Sequence, residues 1–156
     1  MPRLVIANRH PLTQPAAIVG AAGLREQAVI TDLLLRANRE YRKVLPARLY
    51  DAYVRDLRAL AADWSDKDFL IAESEGALLG AVAFYRDASC QGHGLPREWA
   101  GLRALAVDPE ARGTRLGRRL YEERRALAER LELAGIVFGG RMPNLARNRR
   151  KASGAK

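Results

Sequence analysis

The sequence predicts an α+β fold, a mixed β-sheet flanked by helices, and three stretches carry that expectation. Two amphipathic helical patterns follow one another over residues 24–60. Two apolar runs, 69–73 and 78–85, are separated by a short turn sequence. A strand, a glycine-bearing turn rich in arginine, a long helix and another strand then succeed one another over residues 102–138. A hairpin makes antiparallel neighbours and a strand–helix–strand crossover makes parallel ones, so the sheet is mixed.

In order, Leu4–Ala7 and Ala16–Val19 compete as a first strand, with Pro11 and Pro15 breaking the interval between them. From Leu24 to Val44, Val29, Ile30, Leu33, Leu34, Ala37, Tyr41 and Val44 recur at three- and four-residue spacing, the pattern of an amphipathic helix. Pro46 suits the first turn of a second helix, which carries Leu49, Tyr50, Tyr53, Leu57 and Leu60 along one side. The hairpin follows, with Ser74-Glu75-Gly76 as its turn. Residues 86–97 form a polar loop in which Cys90 and His93 have no partner motif; an incidental thiol and a solvated imidazole are expected there.

Leu102, Ala104, Leu105, Ala106 and Val107 form the central strand, which Asp108-Pro109 ends because proline cannot continue a ladder. A loop containing Gly113, Arg112 and Arg115 then leads into a helix that starts near Leu116 and carries Gly117 and Arg118 in its first turn. Unpaired amides and the positive end of the helix dipole suit phosphate, and the three arginines add charge that pairs with phosphate oxygens. The helix runs to about Leu133 with Leu116, Leu120, Leu127, Leu131 and Ala134 on its buried side, and Gly135 serves as its C-cap. Ile136-Val137-Phe138 begins a strand parallel to the central one.

The run from Leu102 to Arg118 resembles the acetyl-coenzyme A loop of the GNAT family of N-acetyltransferases. That family's signature is Gln/Arg-x-x-Gly-x-Gly/Ala, after a strand ending in a hydrophobic-Asp-Pro sequence. Arg112 fills the first position and Gly117 the last, while Arg115 stands where the family has glycine. Glu98-Trp99 upstream adds to the likeness, which covers about residues 24–144. It implies a GNAT-like central mixed sheet whose last antiparallel strands are missing or unrecognisable here, residues 1–144 being the domain and 145–156 a basic, disordered tail.

The resemblance also implies an acetyl-coenzyme A-dependent N-acetyltransferase. Pantetheine would lie against Leu105, Ala106 and Val107 where the parallel pair splays, and pyrophosphate on Arg112, Gly113, Thr114, Arg115, Leu116, Gly117 and Arg118. A strand N–H near Leu105 or Val107 would stabilise the oxyanion as an amine attacks the thioester directly. Glu98 is the candidate proton acceptor; the competing reading pairs it with Arg97 or Arg103 on an exposed loop. The family's tyrosine acid has no counterpart, because the last tyrosine is Tyr121, and Asn144 matches a family asparagine only roughly. Tyr41, Tyr50 and Tyr53 either border the acceptor site, as the resemblance implies, or belong to the core.

Composition bounds the alternatives. At 156 residues the chain is expected to form one domain. One cysteine fits a reducing cytoplasm, no metal-ligand spacing occurs, and neither a secretory signal nor a membrane span is expected. Of the net charge of +9, six basic side chains with no acid lie in residues 141–156, leaving +3 for the rest, so nucleic acid is an unlikely partner. The acceptor is an amine of open identity. A homodimer is expected through the strand Ile136–Phe138, whose edge nothing later in the sequence covers. The rival readings are a catalytically silent fold member that binds coenzyme A or a protein partner, and a basic nucleic-acid-binding protein.

Overall fold

A computed structural model describes residues 17–91 and 94–138. Five strands form one sheet in sequence order: β1 (Ile18–Ala21), β2 (Asp68–Ser74), β3 (Ala77–Tyr85), β4 (Trp99–Val107) and β5 (Gly135–Phe138). The first three pairings are antiparallel and β4–β5 is parallel. Helices α1 (Gln27–Ala37) and α2 (Ala47–Ala62) separate β1 from β2, and α3 (Leu116–Arg130) makes the crossover between β4 and β5. The α+β architecture with a mixed sheet is the one the sequence implies.

Period-two alternation in the hairpin is apolar on both faces, so each face needs a cover. Phe69, Ile71, Ala81, Ala83 and Tyr85 pack with Ile30, Leu33, Leu34, Leu57 and Leu60 of α1 and α2. Leu70, Ala72, Val82 and Phe84 pack on the other face with Ala100, Leu102, Ile136 and the α3 residues Leu116, Leu120 and Ala128. Glu75 and Gly76 both have positive φ, 52° and 82°, as a two-residue hairpin loop requires.

Several boundaries differ from expectation. The helix drawn from Leu24 to Val44 is interrupted: a 3-10 turn, Leu24–Glu26, precedes α1, and another, Arg39–Lys43, follows it. Asn38 ends α1 by donating its side-chain amide to Leu34 O at 2.7 Å, which takes up a carbonyl at the helix end. The break turns Val44 outward, 71% exposed, and Val29 is 52% exposed, so neither belongs to the core. Leu49 of α2 is likewise 52% exposed, while Leu57, Leu60 and Ala61 are buried. Of the two first-strand candidates, Ile18 and Val19 of the second lie in β1; Leu4–Ala7 and the tail 145–156 fall outside the described residues.

Gly135 is not the C-cap of α3. The C-cap is Leu131, and Glu132 follows it in the left-handed position at φ 58°: its N–H bonds Glu129 O at 3.0 Å and Leu133 N–H bonds Ala128 O at 3.0 Å, the two bonds of a Schellman motif. Gly135 instead opens β5 opposite Trp99, where an added Cβ would sit 3.0 Å from the indole ring. Gly135→Ala should therefore destabilise by about 1–3 kcal/mol through overpacking, read as a lower denaturation midpoint. A midpoint equal to the parent's would show that the Trp99–Gly135 contact does not constrain the parallel pair.

Candidate functional site

The segment after β4 is fastened to the end of α1. Asp108 N–H bonds Leu79 O at 2.8 Å, and Asp108 Oδ1 accepts from Glu110 N–H at 2.9 Å, capping the 3-10 turn Pro109–Ala111. Asp108 Oδ2 accepts from Arg36 Nη2 at 2.9 Å and Nε at 3.2 Å, a two-toothed ion pair between α1 and the turn. Arg112 repeats the connection four residues later. It donates to Glu40 Oε1 at 2.8 Å and to Ala37 O at 2.6 Å, a carbonyl at the end of α1.

The loop then closes on itself and enters α3. Thr114 Oγ1 donates to Ala111 O at 2.6 Å. Gly113 has φ 83°, and Arg115, the N-cap of α3, has φ 67° and ψ 15°. Glycine is favoured at such a left-handed position, so the arginine holds a conformation that costs an L-residue about 1–2 kcal/mol. Arg115 gives no side-chain cap, and the first helical bond is Arg119 N–H to Arg115 O at 3.0 Å. The amides of Leu116, Gly117 and Arg118 precede that bond, at the positive end of the helix.

A cavity of about 370 Å³ opens at this corner, lined by Val107, Ala111, Arg112, Gly113, Arg115, Leu116 and Gly117. A Cβ on Gly117 would lie 3.4 Å from Val107 Cγ2 and 3.9 Å from Leu105 Cδ2, so glycine lets the first turn of α3 lie close against β4. Six of the ten residues expected at the coenzyme line this cavity. Leu105 lies beside it, Ala106 is buried toward α1 and α2, Thr114 is turned into its own loop, and Arg118 is exposed outside the lining. Ala111 was missed; it reads in the sequence as one more small residue after Asp-Pro, and nothing there marks it as lining.

On one side β4 pairs in parallel with β5, and the described register runs from Trp99 opposite Gly135 to Leu102 opposite Phe138. On the β3 side, Ala81 faces Ala106 and Ala83 faces Arg103, three β4 steps against two, with Ala104 at φ 57°. This bulge precedes the stretch that runs into the cavity. Glu98 is exposed, just before the opposite end of β4 from the loop, and its carbonyl accepts from Ala134 N–H at 2.8 Å. Tyr53 donates to Asn38 Oδ1 at 3.0 Å and meets Tyr41 edge-on at 5.8 Å, both beside the junction of α1 and α2. His93 and Asn144 fall outside the described residues.

The sequence model described as the acetyltransferase (GNAT) family matches residues 30–149. The chain belongs to the GNAT family. Among solved structures it is similar to the PaiA N-acetyltransferase of Thermoplasma acidophilum, crystallised with coenzyme A, at 12% identity and a TM-score of 0.65, covering 89% of this chain and 88% of that one. It is also similar to a GNAT family acetyltransferase of Brucella melitensis, in complex with acetyl-CoA, at 24% identity and a TM-score of 0.58, covering 84% and 80%. A probable hydrolase, YhcX, of Bacillus subtilis (strain 168) is 53% identical over 40 residues, a stretch covering 26% of this chain and 8% of that protein.

The left-handed Arg115 gives a stability test within the GNAT loop. Arg115→Gly should keep or raise the denaturation midpoint, by up to about 1 kcal/mol, whereas Arg115→Val, β-branched at positive φ, should lower it. The reverse order would mean that Arg115 is held there by contacts stronger than the backbone preference.

Proposed function

We propose that this GNAT protein is an acetyl-coenzyme A-dependent N-acetyltransferase acting on a primary amine. The observation that carries the reading is the continuity between the end of β4 and the cavity at the start of α3. Val107 belongs to both, so one extended ligand with an anionic end and an amide-bearing arm fits both. The coenzyme complexes of the two similar structures support the same ligand class.

The chain's own groups have separable tasks. The amides of Leu116, Gly117 and Arg118 bind pyrophosphate together with Gly113 and the guanidinium of Arg115. Arg112 frames the cavity while its side chain is committed to Glu40 and Ala37, so its part is to hold the loop in shape. The edge of β4 over Leu105–Val107 offers backbone donors and acceptors to the pantetheine amides. Acetyl-coenzyme A supplies an activated acyl thioester. The amine nitrogen must reach the reacting carbon uncharged, so a proton leaves it as the C–N bond forms and one is taken up by the departing thiolate as the C–S bond breaks. A backbone N–H on the β4 edge stabilises the transient oxyanion. Glu98 remains the proposed proton acceptor, through intervening water, because its exposed position lies at the far end of β4 from the phosphate loop.

Two further expectations belong to this reading. The single cysteine and the absence, among the described helices, of any long and apolar enough to cross a membrane support a cytoplasmic enzyme. β5 stands at the end of the described sheet with Ile136, Val137 and Phe138 on it, which supports a homodimer closed across that edge.

Gly117→Val tests the site. Its branched side chain would meet Val107 and Leu105 and push the first turn of α3 off β4, so acetyl-coenzyme A affinity measured by calorimetry should fall at least tenfold, about 1.4 kcal/mol. Unchanged affinity in a folded variant would put the coenzyme elsewhere. Coenzyme binding by the parent without transfer to any amine would support the catalytically silent reading instead.

A further inference from the structure

Two arginines line the cavity at the start of α3, and their surroundings differ. Arg112 donates Nη1 to Glu40 Oε1 at 2.8 Å and Nη2 to Ala37 O at 2.6 Å. Arg115 has no ion pair among the described residues. Glu40 belongs to the 3-10 turn Arg39–Lys43 that follows α1, and it is not among the residues lining the cavity. Its contact with that corner is the Arg112 guanidinium.

The loop has little else to hold it. Gly113 and Arg115 have positive φ, 83° and 67°, so local backbone preference does not select this path from Arg112 into α3. Thr114 Oγ1 donates to Ala111 O at 2.6 Å, which closes the loop on itself without tying it to the rest of the molecule. The ties come from Asp108, bonded to Arg36, and from Arg112, bonded at the end of α1. Asp108 also caps its own turn, so its two tasks cannot be separated by substitution. Arg112 can be isolated. Its long side chain has many rotamers, and two acceptors on different residues hold it in one of them. Ala37 O lies at the C-terminal, negative end of α1, and Glu40 supplies the charged half of the grip.

Resting on the acetyltransferase reading, we propose that Glu40 is a positioning residue for the coenzyme. It holds Arg112 against the end of α1 and so keeps the amides of Leu116, Gly117 and Arg118 turned to the cavity. The sign of its effect separates this role from simple charge. The coenzyme's phosphates are anionic and a nearby carboxylate repels them, so charge alone makes removal of Glu40 tighten binding. Positioning makes the same change weaken it. The tie also works in reverse: by linkage, coenzyme that steadies the loop steadies the turn Arg39–Lys43. Three bonds report on that turn: Tyr41 N–H to Asn38 O at 3.1 Å, and Val44 and Leu45 N–H to Tyr41 O at 3.1 and 2.9 Å.

The test measures acetyl-coenzyme A affinity of the full chain by calorimetry. Glu40→Gln should weaken binding about threefold, in the range of an exposed ion pair, and Glu40→Asp, which keeps the charge on a shorter stem, should lose less. Glu40 and Arg112 are 58% and 43% exposed, so the denaturation midpoint without ligand should hardly move. Affinity lost at unchanged stability distinguishes positioning from a general structural part. Arg112→Gln should also weaken binding, and adding Glu40→Gln to it should cost less than about twofold more, because the carboxylate acts through the guanidinium. Glu110→Gln, which removes an exposed carboxylate from the preceding turn, is the charge control and should bind equally or more tightly. Coenzyme should slow amide exchange at Tyr41, Val44 and Leu45 in the parent, and Glu40→Gln should lose that protection. Unchanged or tighter binding in Glu40→Gln overturns the proposal, as does an equal loss in Glu110→Gln. Should Arg112→Gln unfold, the Glu40 variants and the Glu110 control remain decisive. A parent that does not bind acetyl-coenzyme A would overturn the acetyltransferase reading itself, and this role with it.

Discussion

Between Ala83 and Ala81 of β3, β4 takes three steps where two would keep the ladder regular, and Ala104 absorbs the excess at φ 57°. A left-handed alanine costs about 1–2 kcal/mol, and the ladder on either side of it pairs in register with β3. The buried packing of Ala81, Ala83 and Ala106 on one face and Val82 and Leu102 on the other holds both halves of β4 in place. Beyond the bulge the strand runs to Val107, which lines the cavity at the start of α3. The phosphate corner takes its position from this one strand.

Rigidity at the corner comes from charge placed against helix ends rather than from depth of burial. Arg36 with Asp108, and Arg112 with Glu40 and Ala37 O, connect the turn to α1 and the 3-10 turn after it at two points four residues apart, Asp108 and Arg112. Each is partly exposed, so neither ion pair by itself is worth much more than about 1 kcal/mol. Their effect is geometric: they fix where the chain re-enters α3 and leave its first amides facing a cavity instead of solvent-stripped core. Gly117 completes the arrangement by keeping α3 within side-chain contact of Val107.

Much of this was legible in the sequence. The hairpin, the two N-terminal helices, the Asp-Pro stop and the strand–loop–helix–strand unit all follow from periodicity and turn chemistry, and six of the ten loop and strand residues assigned to the coenzyme line one cavity. What could not be read depends on long-range contacts. The stop in α1 at Asn38 is set by a side-chain bond to Leu34 O and by the arrival of Arg112 from 75 positions away. Gly135 opens β5 rather than ending α3, and its place opposite the bulk of Trp99 is a contact that no local pattern reveals.

The proposed coenzyme lies along the end of β4 and on the first turn of α3. Residue-resolved amide hydrogen exchange, with and without coenzyme A, tests it directly. The account predicts that coenzyme A slows exchange at amides within 103–107 and at 113–118, with little change in β1, β2 and α2. Binding that leaves those two segments unchanged and slows exchange elsewhere would contradict it.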